Sequence, residues 1–173
     1  MVFDKFKMIF GKSLGEKIIL IFMISVLLVI FISCTPQPNE WETGQFPDNL
    51  KSAIIKMERT ACYGTCPVYS LAIYGNGTVI YNGDRFVNVT GKQVSQISQE
   101  KFKQLVREFY SIGYFSLSDE YTSSVTDLPS TKTSIQISGI KKSVYDYSNA
   151  PQKLRNLEKE IDEFSNSSQW VKG

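Results

Sequence analysis

The sequence predicts an α+β domain in which an antiparallel sheet of about five strands, including two hairpins, carries two helices on one face. Segments with strand-like alternation are joined by short turns, and strands joined in this way pair antiparallel. Two other segments place apolar residues at helical spacing, and each has a single apolar stripe to bury. Because the order along the chain is strands, helix, hairpin, helix, one sheet with both helices on the same face buries every stripe.

Strand-like patterns begin the domain. Strands are expected at residues 53–59, 68–74, 79–82 and 86–90, the last of them reaching a little further. In the second strand Tyr69, Leu71 and Ile73 alternate with smaller residues, which is typical of a half-buried strand. The turn at residues 75–77 reads Gly-Asn-Gly, and these residues tolerate the positive φ of a tight hairpin. This hairpin is the clearest in the chain.

Both ends of the first helix can be predicted from the sequence. Ser98 is a suitable N-cap, and Gly113 supplies a left-handed residue after the last turn. Four apolar residues keep helical spacing between these ends: Phe102, Leu105, Val106 and Phe109. The pattern therefore predicts a helix over residues 99–111.

A polar loop at residues 118–130 separates this helix from a second hairpin. We expect the hairpin to run over residues 131–137, to turn near 138–139 and to return over 143–147. Alternating apolar residues in its first strand favour one buried face.

The last helix is expected to start at Asn149 or Ala150, with Pro151 in its first turn. Its apolar residues keep helical spacing: Leu154, Leu157, Ile161 and Phe164. Trp170 and Val171 are expected to dock at its far end.

Composition limits the classes of function. Residues 34–173 hold 15 basic and 15 acidic side chains, so the domain is neutral and offers no basic stripe for nucleic acid. The sequence contains no histidine. Ser-His-Asp and Cys-His nucleophilic sites are therefore excluded, and the most common metal ligand is missing. We expect no metal, no cofactor besides a covalent lipid, and no enzymatic activity.

The first 33 residues have the layout of a bacterial lipoprotein signal. Four lysines precede an apolar run at residues 18–32, which closes on Ser33 and Cys34. A cysteine after the cleavage site supplies the thiol for a diacylglycerol thioether. We therefore expect residues 1–33 to be removed and Cys34 to carry the acyl lipid that holds the protein on a membrane.

The alternative for the same segment is a single transmembrane helix at residues 18–33. That run has 16 residues, whereas a span requires about 20. Under the lipoprotein interpretation, residues 34–50 form the lipidated cysteine and a flexible tether, and residues 51–173 form one domain. Thr35, rather than an aspartate, follows the cysteine, which favours the outer membrane of a Gram-negative cell, facing the periplasm.

Two cysteines remain after lipidation of Cys34, and in an exported domain they are expected to form a disulfide. An extended chain would separate Cys62 from Cys66 by about 13 Å, beyond disulfide reach, whereas one compact turn brings their Cα atoms to about 6 Å. Gly64 would permit that turn. Three other states stay open: free thiols packed as small apolar residues, a thiol redox centre, and a metal or haem site.

Three segments together resemble a known family. They are residues 58–69, with the core Cys-Tyr-Gly-Thr-Cys-Pro, the hairpin at residues 73–81, and Thr126-Asp127. They are similar to the bacterial family called domain of unknown function 6438, over roughly residues 51–172. The resemblance implies an exported or lipid-anchored protein. The family has no established activity, so the resemblance assigns no catalytic residue.

The functional hypothesis is a membrane-anchored envelope lipoprotein that binds another envelope protein or a cell-wall partner. The candidate interaction surface comprises Arg59, Tyr63, Gly64, Thr65 and Asp127. One alternative is a thiol-disulfide redox lipoprotein that uses the two domain cysteines. Another is a purely structural envelope protein.

Overall fold

The computed structural model describes residues 46–47 and 49–171. The predicted signal peptide at 1–33, Cys34 and the alternative helix at 18–33 lie outside the described residues, as does most of the tether predicted at 34–50. Within the described part of the chain, no helix combines the length and the apolar character that a membrane crossing requires.

Seven strands form one sheet in the part of the chain that the structure describes. In chain order they are β1 (Ile54–Arg59), β2 (Val68–Tyr74), β3 (Thr78–Arg85), β4 (Gly91–Gln96), β5 (Glu120–Tyr121), β6 (Thr131–Ile137) and β7 (Ile140–Asp146). Their spatial order is β4-β3-β2-β1-β6-β7-β5. Every neighbouring pair is antiparallel except β5 and β7. The fold is therefore α+β, as predicted.

The helices of the described residues occur at two places along the chain, after β4 and after β7. They are α1 (Gln99–Ser111), α2 (Gln152–Ser165) and α3 (Ser168–Val171), with a 3₁₀ turn at Tyr114–Ser116 after α1. The Ser98 side chain accepts a hydrogen bond from the backbone N–H of Lys101 at 3.2 Å, which caps α1. Gly113 adopts the left-handed conformation with φ of 66° and ends the helix, so both predicted ends are confirmed.

The core lies between the helices and one face of the sheet. Burial alternates along β2 and β6, so every second side chain of these strands points into the core. Eleven apolar residues from β2, β6 and the two long helices belong to one buried cluster: Tyr69, Leu71, Ile73, Phe102, Leu105, Phe109, Ile135, Ile137, Leu154, Leu157 and Ile161. Trp170 and Val171 pack against this cluster, as expected. The opposite face of the sheet, called the open face below, points away from this core.

The predicted number of strands, about five, was too low. Residues 86–90, predicted as a strand, form an irregular loop, and the strand begins only at Gly91. β4 carries one large apolar residue and lies at the edge of the sheet, so little burial marks it in the sequence. β5 has only two residues, and they lie inside the segment predicted as a polar loop. β5 pairs in parallel with β7, about 25 residues later in the chain, so no local pattern predicts it.

The start of the last helix is also corrected. The helix begins at Gln152, two or three residues later than predicted. Pro151 is the N-cap, with an extended ψ of 145°. Proline fixes its φ near the helical value but leaves its ψ free, so it serves the cap as well as the first turn.

Candidate functional site

The loop between β1 and β2 is closed by a disulfide between Cys62 and Cys66, whose Cα atoms are 5.7 Å apart. Gly64 has φ of 158°, a conformation that side chains rarely adopt, and its N–H donates to the carbonyl of Cys62 at 2.9 Å. The predicted bridge and its permissive glycine are thus present. Both cysteines are half-buried, whereas Tyr63 is 90% exposed and Thr65 is exposed. We call residues 60–67 the cysteine loop.

A second loop, residues 122–130, lies against the cysteine loop. The N–H of Tyr63 donates to the carbonyl of Asp127 at 3.2 Å, and the N–H of Thr60 donates to the carbonyl of Ser130 at 2.9 Å. The hydroxyls of Thr60 and Ser130 are 2.7 Å apart. These bonds bring Tyr63 and Asp127, which are 64 residues apart in the sequence, into one surface.

Strand pairing places a third loop at the same end of the sheet. Arg59, the last residue of β1, lies opposite Tyr69 and Thr131, near the starts of β2 and β6. Arg85, the last residue of β3, lies opposite Val68. The cysteine loop, the 122–130 loop and the 86–90 loop therefore leave the sheet at one end, which we call the loop end.

The loop end exposes apolar side chains. Five large apolar residues of the described chain are exposed, and four of them lie in these three loops: Tyr63, Phe86, Val125 and Leu128. We call these four the loop-end surface. The fifth, Val94, lies on β4. Phe86 and Asp127 hold left-handed backbone conformations, with φ of 56° and 67°. Three other described non-glycine residues, Ser138, Asn149 and Asn166, adopt positive φ elsewhere in the fold.

The side chain of Arg59 contacts α2. Its guanidinium donates to the Asp162 carboxylate at 2.9 Å, to the Tyr69 hydroxyl at 3.0 Å and to the Thr131 hydroxyl at 3.1 Å. The Tyr69 hydroxyl donates to the same carboxylate at 2.7 Å, as does the hydroxyl of Ser167 at 2.5 Å. The network ties β1, β2 and β6 to the C-terminal helices, so Arg59 is separated from the other predicted surface residues.

Burial and the charge of Asp162 together set the electrostatics of this network. Burial lowers the pKa of Arg59, but the Asp162 carboxylate raises it, and the net pKa lies above the usual value. Burial, followed by the negative charge of Asp162, raises the pKa of Tyr69. Arg59 therefore stays charged and Tyr69 stays protonated at neutral pH. Both side chains keep their donors directed at Asp162.

Glu158 lies beside this network in the core. Its residue is 5% exposed, and Oε1 has no hydrogen-bond partner among the described residues. Burial, with the nearby charge of Asp146, raises the pKa of Glu158 to about 7. Burial also raises the pKa of Asp146. Charged residues of an amphipathic helix normally face solvent, and Glu158 does not. Its neighbours come from β6 and β7, so no local pattern marked it.

The open face of the sheet carries a shallow depression of about 440 Å³. Ser134 on β6 lies between Lys56 on β1 and Ser143 on β7. Lys132 and Lys141 complete the rim on the same side. None of these three lysines has an ion-pair or hydrogen-bond partner within residues 46–47 and 49–171. Glu58 on β1 lies opposite Lys132, so the face presents a carboxylate as well as cationic and hydroxyl groups to solvent.

The structure thus brings together most of the predicted surface and adds to it. The cysteine loop and Asp127 form one surface, whereas Arg59 belongs to the α2 network. Sequence reasoning missed Phe86, Val125 and Leu128. Apolar side chains inside turn-rich loops were the signal that could have found the last two, because such loops are normally polar. Over the residues that the structure describes, no group of three or more potential metal ligands is present.

The fold and this geometry define an α+β domain whose sheet ends in a disulfide-closed, apolar loop surface. Residues 53–165 match the family described as a domain of unknown function (DUF6438), and the chain belongs to that family. No curated protein sequence matches the chain.

Proposed function

We propose that this protein is a lipid-anchored bacterial envelope protein whose domain binds a protein partner through the loop-end surface. One observation carries the proposal: four of the five exposed large apolar residues in the described chain lie in three loops at one end of the sheet. Scattered exposed apolar residues need no explanation, but their concentration in one place is typical of interaction sites.

The chemistry of the loop-end surface supports a protein partner. Tyr63 presents a large aromatic ring that is 90% exposed, and tyrosine is enriched among the residues that dominate binding energy. The ring is carried by a loop that the disulfide closes and that the 122–130 loop braces by backbone hydrogen bonds. A loop held in one conformation loses little entropy on binding.

The proposed lipid anchor is inferred from the sequence. Lysines, an apolar run and Ser33-Cys34 follow one another in the order of a lipoprotein signal. Residues 34–50 would then serve as the tether between membrane and domain, and Thr35 favours the outer membrane of a Gram-negative cell. Lipid on Cys34 would confine the domain to one surface, which raises its concentration near partners anchored there.

Photo-crosslinking in intact envelopes tests the proposal. A benzophenone amino acid is placed at position 63, 86 or 125, and a control is placed at the exposed Glu100 at the start of α1. We expect one shared adduct from the three loop positions and none from position 100. Leu128→Asp should abolish that adduct without changing the circular dichroism spectrum. Equal adducts from all four positions, or an adduct that survives Leu128→Asp, would contradict the proposal.

A further inference from the structure

β4 is an edge strand of the sheet that the described residues form. It ends the sheet, runs for six residues, contains no proline and carries a single charge, Lys92. Its central residue, Val94, is 61% exposed. Sheet edges in native proteins are normally blocked by charges, prolines, bulges or very short strands, because an open edge pairs with other strands. The opposite edge, β5, has only two residues.

An apolar row leads to this edge across the open face. Ala72 on β2 lies opposite Ile80 on β3, and Ile80 lies opposite Val94 on β4. Ala72 and Ile80 are half-buried, whereas Val94 is exposed because the row ends there. A further strand beside β4 would continue the row and cover Val94.

The direction of the backbone groups of β4 follows from one hydrogen bond. The N–H of Ile97, just after the strand, donates to the carbonyl of Gly77 beside β3 at 2.9 Å. Peptide groups alternate sides along a strand, so Gln93 and Ser95 also turn theirs toward β3. Lys92, Val94 and Gln96 therefore point their N–H and C=O groups outward. In the described part of the chain, no strand pairs with this side.

We propose that two copies of this chain pair antiparallel through β4, in a register centred on Val94. Each Val94 then lies opposite the Val94 of the other copy, and each Lys92 lies opposite Gln96. The three outward residues of each strand supply both a donor and an acceptor, which gives six backbone hydrogen bonds across the two-fold axis.

The residue order of β4 favours a second copy of this chain as the strand that pairs with it. A two-fold axis at Val94 places apolar against apolar, and it never sets Lys92 against its own copy. The apolar row then runs from Ile80 through both valines to Ile80 of the second copy. A strand pair is a small interface, so the dimer is weak in solution, and shared attachment to one membrane would favour it.

Disulfide crosslinking of the full chain in membranes of the producing cells tests the register. In a hydrogen-bonded antiparallel pair, opposite Cα atoms lie about 5.5 Å apart, within disulfide reach. The two Lys92 residues would lie four steps apart, or about 13 Å, outside that reach. We expect V94C to form a disulfide-linked dimer on mild oxidation, whereas K92C does not.

V125C is the collision control, because Val125 is also exposed but lies in the loop-end surface. Similar dimer yields from V94C, K92C and V125C would overturn the proposal, as would adducts of V94C with another protein. Absence of a V94C dimer would overturn it as well.

A second variant separates pairing from folding. Val94→Lys sets two lysines directly opposite each other and should remove the dimer seen by chemical crosslinking of the full chain, whereas the neutral Val94→Thr should keep it. Circular dichroism must show both variants folded. A dimer that persists in folded Val94→Lys would overturn the β4 pairing.

Discussion

The guanidinium of Arg59 lies 2.9 Å from the carboxylate of Asp162, 103 residues later in the chain. This pair joins the end of β1 to α2, and each side chain is about one quarter exposed. The hydroxyls of Tyr69 and Ser167 add two further hydrogen bonds to the same carboxylate. The Arg59–Asp162 pair holds α2 on the sheet close to the loop end. It therefore supports the surface on which the proposed function depends.

Removal of this cation should destabilise the fold. Arg59→Met leaves the Asp162 charge with two hydroxyl donors but no cation, and we expect a loss of about 1 to 3 kcal/mol in the free energy of unfolding. Urea denaturation followed by circular dichroism measures it. The control is Arg85→Met, which breaks the exposed Asp84–Arg85 pair and should cost less than about 1 kcal/mol. Equal losses for both variants would contradict a stabilising role for the Arg59 network.

The free energy of unfolding should fall as pH rises, because the buried carboxyl of Glu158 loses its proton. Its pKa is raised from 4.5 to about 7 in the folded protein, so the folded state binds a proton that the unfolded state releases between these values. The stabilising proton is fully held below pH 4.5 and lost as pH passes 7. Glu158→Gln should therefore gain stability relative to wild type between pH 5 and pH 8, by on the order of 3 kcal/mol.

Denaturation midpoints at pH 5, 6, 7 and 8 test this expectation. Glu158→Leu, a second neutral replacement, should shift in the same direction, which separates titration from a change in packing. If the stability of Glu158→Gln relative to wild type stays constant across this range, the carboxylate is already neutral or freely solvated, and the argument from burial fails.

Local pattern accounts for the elements that could be predicted. β2 and α1 have the predicted bounds because alternation, an N-cap and a left-handed glycine are all encoded within a few residues. β4 was misplaced because an edge strand gains its structure from its neighbour, and one apolar residue among polar ones gives no period. The contact of Tyr63 with Asp127 was also beyond local pattern. It follows from the pairing of β1 with β6, which joins distant segments.

Truncation of a core leucine should cost far more than truncation of a loop-end leucine. Leu105 is fully buried between α1 and the sheet, so Leu105→Ala should lower the free energy of unfolding by about 2 to 5 kcal/mol. Leu128 is 39% exposed, and Leu128→Ala should cost less than about 1 kcal/mol. Chemical denaturation of both variants makes the comparison. Similar losses would mean that the 122–130 loop is an integral part of the core.

Lipidation can be tested at its one acceptor. Cys34→Ala removes the thiol and should leave an uncleaved, heavier precursor, because cleavage of this type of signal follows acylation of the cysteine. Gel mobility and intact mass of the protein from membrane fractions provide the measurement. Ser33→Ala, which keeps a small residue before the cysteine, is the matched control and should mature normally. Wild-type protein that retains residues 1–33 would instead support the transmembrane helix at 18–33.

The disulfide should shape the cysteine loop more than it stabilises the domain. It closes a loop of only five residues, for which chain entropy predicts about 2 kcal/mol. We therefore expect the double Cys62→Ser, Cys66→Ser variant to stay folded and lose about that much stability, while the adduct formed through position 63 weakens because Tyr63 is no longer held. Alkylation of the wild-type protein, acid-quenched directly from the envelope, should find no free thiol at either position. Two free thiols there, with turnover of a thiol-disulfide substrate that each single serine variant loses, would replace the binding proposal with a redox function.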